Sequence, residues 1–235
     1  MNSQRIHAVD VTARNLKANA RLSLKDQQLR NNMRSAMDSL ISKRIISMPD
    51  ADERENLREL GNKIRARALS ELPDLLEQLE VNLTKQGIQV HWASSTAEAN
   101  AIVLQIAKAR NATQVIKGKS MVSEEMAMNE YLTEHGIEAL ESDMGEYIIQ
   151  LDNEKPTHII MPAIHKNAEQ VGRLFEHRLA LPYTDDVDSL IQSARGILRE
   201  RFFHADIGIS GVNFAVAETG TLLLVENEGN GRMST

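Results

Sequence analysis

Apolar positions recur along this chain with two different periods. Near the N-terminus, Met33, Met37, Leu40 and Ile41 follow the i, i+4, i+7, i+8 spacing of one helix face. Ser47-Met-Pro49-Asp-Ala-Asp52 reads as a break followed by a new N-terminal cap. From Glu53, the spacing of Leu57, Leu60, Ile64, Ala68 and Leu72 predicts an amphipathic helix. Pro73 opens another, with Leu75, Leu76, Leu79 and Leu83 inward and Gly87 as its stop. After Gly87 strands and helices alternate. Strands are predicted over Ile88–Ala93, Thr113–Lys117, Ile137–Glu141 and Thr157–Met161. Helices are predicted from the Ser95-Thr-Ala-Glu98 capping box to Arg110, then over Met121–His135, Ala168–Leu179 and Asp186–Phe203. Ile207–Glu218 and Thr221–Val225 read as extended segments joined through Thr219-Gly220, an antiparallel hairpin. Repeated strand–helix units predict an α/β fold, a mixed but mostly parallel sheet flanked by helices. Residues 1–52 form a helical arm ahead of an α/β domain over 53–235.

Hydrophobic residues make up 42% of the 235 and charged residues 26%, enough for a packed core. No apolar run approaches the ~20 residues that cross a bilayer. The N-terminus lacks the apolar stretch of a secretory signal, so a cytoplasmic protein without a transmembrane segment is expected. There is no cysteine, which removes disulfides, thiolate catalysis and Cys-ligated clusters from this chain. The net charge of −6 is unevenly spread: residues 1–45 carry nine basic and three acidic side chains, +6, leaving −12 for the remainder. Such an arm suits an anionic surface, or docking on an acidic partner or its own domain. It carries no aromatic residues to stack on bases, so nucleic acid is not expected as a partner.

Candidate chemistry follows from the rule that open α/β sheets bind ligands beyond the C-terminal ends of their strands. Gly118, Lys119 and Ser120 follow a predicted strand and precede a helix, which suits a small anion or a simple Ser120 cap. The upstream glycine of a Walker A loop is missing. Glu141 and Asp143 end the next strand, as a carboxylate site or a solvated loop. His165 follows Thr157–Met161, as a proton shuttle or a hydrogen-bonded structural residue. No histidine pair has metal-ligand spacing, and no metal is expected in this chain. Asn213 and Glu218, with Thr219 and Gly220, interrupt an apolar strand pair and require partners in protein or ligand. Asn227, Glu228 and Asn230 sit in a terminal glycine-rich loop that reads as a site loop, with the chain expected to be a truncation.

These segments also carry a family resemblance. Lys119-Ser-Met-Val-Ser-Glu-Glu125, Asn129-Glu-Tyr-Leu, Glu141-Ser-Asp-Met-Gly-Glu-Tyr147, Pro162-Ala-Ile-His-Lys-Asn167 and Gly208 through Gly231 resemble the LUD (lactate-utilisation) domain family. The resemblance covers roughly residues 55–235, and the basic arm and the Asn227–Arg232 end resemble its iron–sulfur branch in particular. It implies a NagB/RpiA/CoA-transferase-like fold. It also implies a cytoplasmic subunit that works with other subunits of a lactate-utilisation complex to oxidise L-lactate to pyruvate. Two 4Fe–4S clusters are implied in a C-terminal ferredoxin-like half, with none in these residues, which are expected to be inactive alone. The resemblance assigns no catalytic residue. Two other readings stand beside it: a stand-alone sugar-phosphate isomerase or acyl-CoA-handling enzyme of the same fold, or a non-catalytic scaffold.

Overall fold

The computed structural model describes residues 15–235. Four helices lead: α1 (Leu16–Ser23), α2 (Gln27–Ser47), α3 (Ala51–Ser70) and α4 (Leu72–Lys85). Then come α5 (Thr96–Ala109), β1 (Gln114–Lys117), α6 (Met121–Glu125), α7 (Met128–Glu134), β2 (Glu138–Glu141) and α8 (Met144–Asp152). The last elements are α9 (Ala168–Leu179), α10 (Val187–His204), β3 (Ile207–Ile209), β4 (Phe214–Val216), β5 (Thr221–Leu223) and α11 (Asn230–Met233). The first 14 residues of the basic arm lie outside the described residues.

Two compact units form, each from two stretches of chain. Among the described residues, one combines 15–43 with Asp143–Glu200; the other combines Arg44–Ser142 with Arg201–Thr235. In the second unit β1 is central, with β2 and β3 parallel to it on either side. Its Gln-Val-Ile-Lys sequence is buried throughout, as a strand flanked on both edges requires. Leu104 and Ala107 of α5 and Met128 and Leu132 of α7 pack with Val115 and Ala139 of the strands. Ser95 caps α5 by accepting from Glu98 N at 3.2 Å. The first unit has its own core: Val171, Leu174 and Phe175 of α9 against Ile148 of α8 and Leu190 and Ala194 of α10. Within it α2 is tied down by side chains: Asn32 Nδ2 donates to the Ile164 carbonyl at 2.8 Å, and Gln28 Nε2 to that of His165 at 2.7 Å.

The α/β reading holds, a small parallel sheet flanked by helices, while the β4–β5 hairpin stands as an antiparallel sheet of its own. Several elements differ from expectation. Ile88–Ala93 is not a strand: the Ile88 N–H donates to the Leu83 carbonyl and closes the end of α4. Thr157–Met161 is a turn, because His158 Nδ1 accepts from the N–H groups of Ile160 and Met161 at 3.1 and 3.2 Å. The extended run from Ile207 splits between the two sheets. The helix expected over Met121–His135 breaks at Ala127, which adopts φ +50°. Beyond Glu141 the acidic segment becomes α8, and the terminal loop contains the helical turn α11.

Candidate functional site at the mouth of the parallel sheet

The strand order β2-β1-β3 sends the chain from β1 to one side and returns it on the other, so the crevice beyond β1 and β3 is a topological switch point. Small residues build it. The Gly118 N–H donates to the Ile209 carbonyl at 2.7 Å, continuing the β1–β3 ladder by one residue. A Cβ on Gly118 would lie 3.3 Å from Ser210 Oγ and 3.4 Å from Gly231 Cα; one on Gly211 would lie 3.4 Å from Ser120 Oγ. The loops after β1 and β3 and the start of α11 therefore pack closely here, with little room for a side chain larger than a methyl at Gly118. Ser120 caps α6, accepting from Ser123 N at 3.4 Å. That helix has only five residues, so its aligned dipole is small. Half-buried Lys119 lies in the same loop. Across the crevice Asn230 opens α11, its Oδ1 accepting from Gly231 N at 2.9 Å, while its Nδ2 is buried without a hydrogen-bond partner. Glu226 accepts from Arg232 N at 2.8 Å and closes that loop.

Beside the crevice lies a buried ion pair. Lys117, the last residue of β1, places Nζ 2.6 Å from Glu141 Oε1 at the end of β2. Asn129 Nδ2 of α7 donates to the same oxygen at 2.6 Å, and Ser142 Oγ to the Lys117 carbonyl at 2.5 Å. Charges removed from water must be paired in this way, and the pair locks the ends of β1 and β2 together.

The sequence-predicted residues fall into three groups. Gly118, Lys119, Ser120, Glu141 and Asn230 collect at the strand ends, with Asn227 and Glu228 exposed in the loop that leads to α11. Asn213, Glu218, Thr219 and Gly220 belong to the β4–β5 hairpin. Asn213 Oδ1 accepts from Val225 N at 2.8 Å. Asn82 Nδ2 of α4 donates to the carbonyls of Ala217 and Glu218 at 2.8 and 3.1 Å, and Gln86 Nε2 to that of Thr219. The Glu218 side chain is exposed, and Gly220, at φ +66°, lets the turn touch the α4 backbone. Asp143 and His165 belong to the other compact unit. Asp143 caps α8 through Gly145 N and Glu146 N. His165 Nε2 lies 2.8 Å from Glu154 Oε2 and Nδ1 2.8 Å from Thr157 Oγ1, so both ring nitrogens are engaged. Lys166 completes that cluster on Asp152 and Glu154. The hydrogen bond from His165 draws Glu154 down to about 2, and Lys166 reinforces this against partial burial.

Sequence reasoning missed Lys117, Asn129 and Ser210. The signal for Lys117 was slight: it directly follows Val115 and Ile116 at a strand end, and only its burial shows that the amine must find a partner. Among the described residues no group of three or more His, Cys, Asp or Glu side chains is arranged to hold a metal ion. Among them, too, no helix is long and apolar enough to cross a membrane.

Known proteins share this sequence over most of its length. A family model described as LUD domain matches residues 76–235. The chain is 41% identical over 213 residues to "Lactate utilization protein B" of Bacillus licheniformis, covering 90% of this chain and 45% of that protein. It is 44% identical over 207 residues to proteins of the same name from Bacillus cereus and Bacillus thuringiensis, covering 88% of this chain and 44% of theirs. The chain thus spans less than half the length of these curated relatives. No solved structure matches it. With the model covering most of the chain, from the middle of α4 through the sheet and the hairpin, the chain belongs to the LUD domain family.

Proposed function

We propose that this chain acts in lactate utilisation, as the N-terminal LUD half of a cytoplasmic iron–sulfur electron-transfer subunit in a complex that oxidises L-lactate to pyruvate. The observation that carries the reading is identity of 41–44% sustained over 88–90% of the chain with proteins named Lactate utilization protein B. The two 4Fe–4S clusters of such a subunit do not fit these residues: thiolates are their usual ligands and the chain has no cysteine. The clusters therefore belong to polypeptide outside the chain, and no electron-transfer step is assigned to residues within it. What these residues contribute is a rigid sheet mouth. There a small anionic ligand would find serine hydroxyls, glycine backbone and the unpaired Asn230 amide.

The test is complementation. A Bacillus cereus strain lacking its lactate utilization protein B receives a chimaera in which this chain replaces the matched region. Growth on L-lactate as sole carbon source is expected; failure to grow, with the chimaera expressed and its iron content normal, overturns the reading. In the same chimaera Gly118→Val fills the crevice against Ser210 and Gly231, and loss of growth with iron content retained is expected.

A further inference from the structure

The run Leu222-Leu-Leu-Val225 is continuously apolar, the pattern of a strand covered on both faces. The structure leaves it uncovered: every residue of β4 and β5 is exposed. The register sets Phe214 opposite Leu223 and Val216 opposite Thr221 on one face, and Ala215 opposite Leu222 on the other. Phe214 is 64% exposed and Val225, just beyond β5, 71%. This ribbon is nevertheless held in place, because its turn is bonded to Asn82 of α4 and to Gln86 just past its end, and Gly220 packs on the α4 backbone. A two-stranded ribbon is marginal alone in water, and a fixed apolar patch with open edges marks an interface.

We infer that the β4–β5 ribbon is the docking surface for the polypeptide by which the longer relatives exceed this chain, packed in cis. This rests on the two-part subunit reading above. More than half of each relative's length lies outside the match, ample chain to cover both faces. The carboxylates around the ribbon, Glu218 at its turn and Glu226 and Glu228 after it, disfavour an anionic lipid surface as occupant.

The absence of native cysteine allows a direct test. Phe214→Cys and, separately, Leu223→Cys are labelled with N-ethylmaleimide, in this chain alone and in the chimaera carrying the remainder of the Bacillus cereus relative. Lys108→Cys on α5 is the control, and rates are read peptide by peptide. Labelling at 214 and 223 is expected to slow at least tenfold in the chimaera while position 108 is unchanged. Equal rates in the two contexts overturn the inference. So does protection in the isolated chain that is lost on dilution, which assigns the ribbon to a second copy, or protection by anionic phospholipid vesicles. A chimaera that holds iron and supports growth but labels fast at 214 overturns the docking alone; one that fails to grow overturns the functional reading.

Discussion

Lys117 is 1% exposed, and a side chain ending in an amine at that depth needs a polar partner. Its desolvation is offset by Glu141, whose Oε1 also accepts from Asn129. Losing one partner leaves a buried charge alone. Lys117→Met or Glu141→Leu is therefore expected to cost about 3–5 kcal/mol in urea unfolding, while the double variant recovers most of it. Additive losses in the cycle would mean that the two side chains do not act as a pair. Glu154 makes a second prediction. Its carboxyl is held at about 2 against an ordinary 4.5, first by the hydrogen bond from His165. A depressed folded value stabilises at neutral pH, and that contribution fades as pH falls from about 4.5 towards 2. With the side chain 41% exposed, the effect is screened to about 1 kcal/mol. Glu154→Gln should be destabilised by that amount at pH 7 and nearly match the parent at pH 2. A difference that persists at pH 2 would assign the effect to packing. At this scale the sequence marked Glu141 and the Gly118–Ser120 loop through their position after strands. It misplaced His165, whose apparent strand is a turn held by the neighbouring His158 ring, something no periodicity reveals.

Two glycines separate packing from propensity among the elements. Gly208 of β3 faces the Ser234 carbonyl so closely that a Cβ would sit 1.8 Å from its oxygen. Gly61, inside α3, has nothing within 4 Å. Gly208→Ala is thus expected to destabilise by roughly 2–4 kcal/mol as the C-terminal turn is forced from the sheet. Gly61→Ala is expected to stabilise by about 0.5–1 kcal/mol through helix propensity. Thermal unfolding of the two variants checks both signs. Helices with clear spacing and stops were legible: α9 spans the expected Ala168–Leu179, and α4 ends at Lys85, two residues before Gly87. Short strands were legible only where ladder partners exist. Thr113–Lys117 and Ile137–Glu141 pair with one another, whereas Ile88–Ala93 has no ladder partner and its first donor is spent on α4. The apolar stripe of α3 was read correctly as helical, but Leu57, Leu60 and Ile64 remain exposed, so amphipathicity marked the helix without identifying its cover.

For the molecule as a whole, the family and the α/β class were readable because several long motifs occur in order, and order survives errors in single elements. The interleaving of the two units was not readable: periodicity is local, and nothing in it says that α2 packs with residues after Asp143. That arrangement has a consequence for biosynthesis. On a ribosome adding roughly 5–20 residues per second, α1 and α2 emerge some 5–20 s before the segment that completes their unit. Meanwhile the core drawn from α5 to β2 is contiguous and can form at once, with its third strand still untranslated. The nascent chain must therefore hold an early basic helical pair in waiting, where chaperones can reach it, while the sheet nucleates behind it.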